Sequence, residues 1–484
     1  MNNSPLDADQ FQQLGHDVVD QLASFLKSID SRSLCKVTTP NNLQEILGRN
    51  PLPENGGAAD TIISEISEKL IEHSLYNGHP GFMGYITSSA LPIGALADFI
   101  AATINQNVGG WRLSPMASEI ERQTIQWITD FIGYEKNCGG ILVSGGNMAN
   151  FIGFLTAKSV IGGKHLQQKG LHANEKQLVC YASIETHTWI HKASDLFGIG
   201  SDGVRWISTN EKREMDVAEL ERQIKEDLEN GFQPFLVVGT AGSVSFGSVD
   251  PLQKIAAICK SHDLWFHIDG AYGAPAAASA MAPKELSYLH LADSIAMDPH
   301  KWLYSALEVG CTLVKDPQHL RDTFSHNPAY YDFAKQDSEI DFHEYGLQNS
   351  RGFRALKVWV GFKFLGRKGF VDLIDKDIIL ARKLAEKVKI HPQIEFYSNH
   401  LSITTFRFIP SKYASNKKGY QQKINEINKE ILQKIYHSGK AFVSNAFVDD
   451  TYLLRACLVN FRTKEADLDL LLSLVINYGQ ELST

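Results

Sequence analysis

The chain has 484 residues, 43% of them hydrophobic, which is ample for a large core and, at roughly 150 residues per unit, predicts about three structural units. Charged residues make up 21%, and 47 Lys and Arg against 55 Asp and Glu leave a formal charge of −8, which argues against broad electrostatic capture of nucleic acid or an anionic membrane. The 6 cysteines are scattered with no CxxC pair, the N-terminus has no basic and apolar leader, and no run of about 18 apolar residues occurs, so a disulfide scaffold, a thiolate zinc site and a membrane span are all disfavoured and a cytoplasmic setting is expected.

Leu14, Val18, Leu22, Phe25 and Leu26 fall at helical spacing and predict an amphipathic helix over 11–29 that needs a partner surface. Residues 37–59, rich in Pro and Gly, read as an irregular wrap. The most apolar stretch, Leu91 to Ile104, is interrupted by Asp98. From about 135 to 316 the runs GGILVSGG, QLVCYAS, PFLVVGT, LWFHID, DSIAM and GCTLV alternate with helical patterns, which predicts βα units and a mainly parallel sheet. Two helix starts are signed there: Asp216 with Glu219 three places on, and Asp250 before Pro251. Residues 317–352 break the rhythm and read as a functional lid or a plain exposed excursion. A helix is expected from Phe353 and another from the early 370s into the 380s. Beyond them, SITTFRFIP, AFVSNAFV and TYLLRACLVN as strands, with two helical stretches, suggest a small α+β domain. The expected division is 1–90, an N-terminal helical wrapping segment; 91–368, a large α/β domain; and 369–484, the small C-terminal domain.

Four places carry possible chemistry. In Val143-Ser144-Gly145-Gly146-Asn147 a strand runs into glycines and then a helix, whose exposed N–H groups suit a phosphate, although glycines also serve simply to make such turns. Trp265-Phe266-His267-Ile268-Asp269 puts a carboxylate at a strand end, where open α/β sheets bind ligands; a helix cap would look the same. Lys301, between His300 and Trp302 after the run Ser294 to Met297, is an odd site for a solvated ammonium, though most lysines lie on surfaces. His187 and His191 are four apart but have no third ligand at metal-site spacing, so a metal is disfavoured and His187 is free to lie against an aromatic ring or to serve as a strand-end histidine. An anion cradle, an acid, an amine and an imidazole are together the set that pyridoxal 5'-phosphate requires.

With these residues in view, the chain resembles the group II pyridoxal-phosphate decarboxylases over nearly its whole length, and in particular their aromatic-L-amino-acid branch. Asp298-Pro299-His300-Lys301-Trp302 looks like that family's lysine segment. In the expected order stand His79-Pro80, Trp111 with Ser114-Pro115 and Glu119, the SGGNMAN turn, His187, Asp269 with Ala271-Tyr272, and Arg351 with Arg354. The resemblance implies the fold type I architecture of aspartate aminotransferase, with pyridoxal 5'-phosphate as cofactor. By the same likeness Lys301 would be the Schiff-base lysine, Asp269 the partner of the pyridine nitrogen, and His187 the stacking ring. Gly145, Gly146 and Asn147 would hold the phosphate, Ser243, Ala271 and His300 would complete the cofactor site, and Tyr330 would be the proton donor. Phe82, Tyr85, Ile86 and Trp111 would wall the substrate pocket, and a homodimer with shared active sites is implied.

The chain departs from the aromatic branch at Gly109-Gly110, where a bulky aromatic is usual, and at Gly242-Ser243-Val244-Ser245. An aromatic L-amino acid remains the leading substrate. Arg112 raises glutamate or aspartate as the alternative. An aldehyde synthase of the same fold is opposed by Tyr330, an aminotransferase by the lysine segment, and a degenerate scaffold by the presence of Lys301, Asp269 and Tyr330 together.

Overall fold

The computed structural model describes residues 6–171, 176–326 and 339–483. Its main sheet is seven-stranded, in the order β2-β8-β7-β6-β5-β3-β4, and a second sheet holds β1 and β9 to β12. The strands are β1 (Phe82–Met83), β2 (Gly139–Val143), β3 (Leu178–Ser183), β4 (Val204–Ile207), β5 (Gln233–Thr240), β6 (Trp265–Asp269), β7 (Ser294–Met297), β8 (Gly310–Val314), β9 (Ile394–His400), β10 (Ile403–Phe408), β11 (Phe442–Val448) and β12 (Thr451–Cys457). β3 to β7 run parallel, and β8 lies antiparallel between β7 and β2. Every residue of β3, β6, β7 and β8 is buried, so both faces are covered, which is why these strands read as unbroken apolar runs. The expected α/β architecture with a mainly parallel central sheet is the one found.

The helices are α1 (Ala8–Ser28), α2 (Pro40–Leu47), α3 (Ala59–His73), α4 (Pro92–Ile104), α5 (Pro115–Ile132), α6 (Gly146–Lys169), α7 (Trp189–Leu196), α8 (Val217–Glu229), α9 (Leu252–Ser261), α10 (Pro317–Phe324), α11 (Ala355–Ile390), α12 (Gln421–Ser438) and α13 (Glu465–Glu481). α1 is capped by Asp7 and carries its apolar face as the spacing predicts. The stretch expected to be an irregular wrap contains α2: Pro40 stands at the first turn, where its missing N–H is harmless, and Thr39 caps Asn42. Asp216 caps α8 as expected. Asp250 does not cap α9; its carboxylate accepts instead from the Met215 and Thr240 amides at 2.7 and 2.8 Å. The two helices expected after Phe353 are one long element broken at Gly366, whose φ of 64° interrupts the helical path. The irregular 317–352 region opens with the unexpected helix α10.

The second sheet has the order β1-β11-β12-β10-β9. β1, from the N-terminal part of the chain, pairs parallel with β11, while the other neighbours are antiparallel. Its own core of Phe406, Leu454, Ile431, Leu471 and others packs apart from that of the main sheet.

Candidate active site

The carboxyl ends of β5, β6 and β7 and the N-terminus of α6 meet at one cavity of about 200 Å³. Open α/β sheets place ligands at such strand ends because loops leaving neighbouring strands diverge there. Gly145, with φ 121°, turns the chain from β2 into α6 in a conformation side chains rarely adopt. A Cβ on Gly146 would sit 2.6 Å from Asp298 Oδ2, so only glycine lets the helix start approach the lysine segment this closely. Gly146 and Asn147 line the cavity there.

Lys301 follows β7 by four residues, and its Nζ lies 3.0 Å from Asp298 Oδ2. His300 beside it has Nδ1 2.7 Å from the Val309 carbonyl and Nε2 3.7 Å from Asp298, and burial pushes its pKa below the usual histidine value. Asp269, the last residue of β6, accepts from Trp189 Nε1–H at 2.7 Å and from the Ala271 amide at 3.2 Å. His187 Nδ1 accepts the Trp189 amide at 3.2 Å, which leaves Nε2 to carry the proton of the neutral ring. Burial lowers its pKa, with the Asp269 charge opposing, so the neutral form prevails at pH 7.

Gly146, Asn147, His187, Asp269, Ala271, His300 and Lys301 therefore all line one cavity, and Ile86 joins them. Ser243 stands behind the lining made by its neighbours Gly242 and Val244, with its hydroxyl 2.7 Å from Ser248 Oγ. Three of the four expected pocket walls lie elsewhere in the chain. Phe82 stacks on Phe442 at 5.3 Å, and Tyr85 is 62% exposed. Trp111 donates to Glu119 at 3.0 Å, and its amide donates to Asp341. Tyr330 lies outside the described residues. Arg112, half exposed and outside the cavity lining, has Nε 3.7 Å from Glu339.

Sequence reasoning passed over three contributors. Trp189 fixes Asp269. Asn150 donates to the Gly146 carbonyl at 2.8 Å and holds His267 at the same distance; His267 is fully buried, which drives its pKa down to about 4. Asp298, quoted only as part of a motif, is the nearest charge to Lys301. Asn150 stands in the SGGNMAN turn, which is the signal that marks it, whereas Trp189 has none because its partner Asp269 lies 80 residues away.

The family model for the pyridoxal-dependent decarboxylase conserved domain matches residues 40–409. The aromatic-L-amino-acid decarboxylase of Bacillus atrophaeus is 33% identical over 484 residues, covering 99% of this chain and 98% of that one. The acidic amino acid decarboxylase GADL1 of Xenopus tropicalis is 28% identical, covering 100% and 95%. The crystal structure of mouse CSAD superposes with a TM-score of 0.92 at 26% identity, covering 98% of this chain and 99% of that one. The donors found here fit pyridoxal phosphate: one primary amine for its aldehyde, a buried carboxylate for its ring nitrogen, a neutral imidazole, and a glycine-opened helix start for its phosphate.

Proposed function

The chain belongs to the pyridoxal-dependent decarboxylases, amino-acid carboxy-lyases that use pyridoxal phosphate, and from that premise we propose that its substrate is an aromatic L-amino acid, of the tryptophan, tyrosine, phenylalanine or dopa kind, released as amine and carbon dioxide. One observation carries this reading: among the described residues lining the cavity the only lysine or arginine is Lys301, while Ile86 and Val244 give it an apolar edge. A substrate with an acidic side chain needs a second cation, and Arg112 stands outside the lining beside Glu339.

The cofactor, when bound, supplies an electron sink for the pair left as carbon dioxide departs. Lys301 is the amine that would hold it, and Asp269, kept in place by Trp189, would set a negative charge at its ring nitrogen. His187 offers a neutral ring to its face, and Gly145, Gly146, Asn147 and the adjoining amides of α6 would receive its phosphate. His300, held by Val309, would orient the groups at the lysine. Tyr330, by resemblance, would deliver a proton to the substrate Cα. The apolar face of α1 and the exposed Tyr85 support a homodimer with shared sites, in which Tyr85 and Trp111 would serve as pocket walls across the interface, whereas Phe82 is buried within its own chain.

The test offers the common L-amino acids one at a time to cofactor-loaded protein and follows carbon dioxide and amine together. The highest kcat/KM is expected on an aromatic substrate, and a preference for glutamate or aspartate would overturn the reading. Lys301→Ala is expected to lose both turnover and covalent capture of the cofactor; retained capture would remove Lys301 from its role.

A further inference from the structure

Asp377 lies fully buried on α11, 75 and 73 residues from the two aromatic side chains it holds. Its Oδ2 accepts from Trp302 Nε1–H at 3.0 Å and from Tyr304 O–H at 2.5 Å. Trp302 is the residue next to Lys301, and its other partner is Tyr272, whose ring stacks on it at 4.9 Å with planes 13° apart. Tyr272 lines the cavity and is itself pinned by Ser402, its hydroxyl 2.5 Å from Ser402 Oγ. The turn that presents Lys301 is thus gripped on one side by a wall of the cavity and on the other by a carboxylate on a different helix. An apolar side chain of like volume would leave Trp302 Nε1–H and Tyr304 O–H as buried donors without an acceptor, so the carboxylate holds both rings in one orientation.

We propose that Asp377 is a positioning residue, a buried clamp on Trp302 and Tyr304 that fixes the turn presenting Lys301 to the cofactor. The proposal rests on the reading of Lys301 given above. Burial raises the Asp377 pKa to about 7, against the pull of Tyr304, Trp302, Lys376 and the Asn460 amide. The other titratable groups around it are Tyr304, Tyr272 and Cys457. Burial holds both tyrosines well above their usual value and the thiol at about 11, so all three stay neutral between pH 6 and 8. Burial lowers the pKa of Lys376, and the Asp377 charge opposes that shift. Asp377 is therefore the member of this group that changes charge near neutrality. Its charged form is the stronger acceptor for two donors converging on one oxygen, so the clamp tightens as pH rises through about 7.

The experiment titrates apo-protein with pyridoxal phosphate at pH 6 and pH 8 and reads the dissociation constant from cofactor absorbance, for the wild type and for Asp377→Asn. The two proteins are expected to bind alike at pH 6, where the carboxyl is mostly neutral. At pH 8 the variant is expected to bind about tenfold more weakly, the change that accompanies a one-unit fall in the Asp377 pKa on cofactor uptake. Contributions of the other groups at the site are common to both proteins and cancel in the ratio. Trp302→Phe, which keeps a ring but removes the Nε1–H donor, is expected to flatten the difference in the same direction and serves if Asp377→Asn does not fold. An affinity ratio that does not change with pH, accompanied only by a uniform loss of thermal stability, would overturn the clamp. Failure of the wild type to take up pyridoxal phosphate at either pH would overturn the clamp and the reading of Lys301 together.

Discussion

Asp269 is oriented by the protein itself, because Trp189 Nε1–H and the Ala271 amide each hold one of its oxygens. That arrangement favours the carboxylate as a fixed negative charge whose value to catalysis lies in not having to reorganise. Asp269→Asn keeps the shape and removes the charge. We expect it to retain cofactor uptake while kcat falls by about a hundredfold or more, with KM for the amino acid little changed; steady-state kinetics on the best substrate, with bound cofactor quantified, checks this. Tyr330 carries a different expectation. If it supplies the proton to Cα, Tyr330→Phe leaves the carbanionic substrate open to dioxygen, and the products should shift from amine toward aldehyde, ammonia and hydrogen peroxide. Unchanged amine output, measured beside peroxide, would remove Tyr330 from that role.

At the scale of elements, the ion pair between Glu121 on α5 and Arg351 ahead of α11 ties α5, β2 and the segment before α11 together. The two side chains are fully buried 2.5 Å apart, and Arg351 also donates to the carbonyls of Val108 and Leu142. Arg351→Met would strand the Glu121 charge, so we expect a loss of about 3–5 kcal/mol in unfolding free energy, read by denaturant titration. The buried strands of the main sheet are legible because two covered faces demand continuous apolar residues, whereas β4 was missed because Arg205 and Trp206 interrupt it. Pro40 reads as a breaker in the sequence yet starts a helix, and Asp250 reads as a cap yet its oxygens satisfy two distant amides. Lys301, Asp269, His187 and the glycine turn were legible because each stands at a strand end beside unusual neighbours. Trp189 and Asp377 were not, because their partners lie 80 and 75 residues away and only the fold brings them together.

For the whole molecule, the exposed surface is the informative feature. α1 buries none of its residues, yet carries Phe11, Leu22 and Leu26 on one side, and Phe11 stacks on Phe99 of α4 at 5.7 Å. α4 itself leaves Leu96, Phe99, Ile100 and Ile104 exposed, the last at 60%. Contiguous apolar surface of this kind on two neighbouring helices marks a contact with another protein surface. A second copy of the chain is the occupant we propose, because two accessible expected pocket walls, Tyr85 and Trp111, fall outside the cavity of their own chain. Each copy bears a formal charge of −8, so charge opposes association and apolar burial must drive it. The sign of the salt dependence follows: raising ionic strength screens the repulsion and should tighten the dimer, where an interface built on ion pairs would loosen. Leu22→Asp combined with Ile100→Asp places charge on the apolar face without touching the cavity. Sedimentation equilibrium should then report the mass of one chain where the wild type reports two, and turnover should fall with the dimer fraction. A fully active single chain would mean that each cavity is complete in itself and that Tyr85 and Trp111 have no part in the substrate pocket.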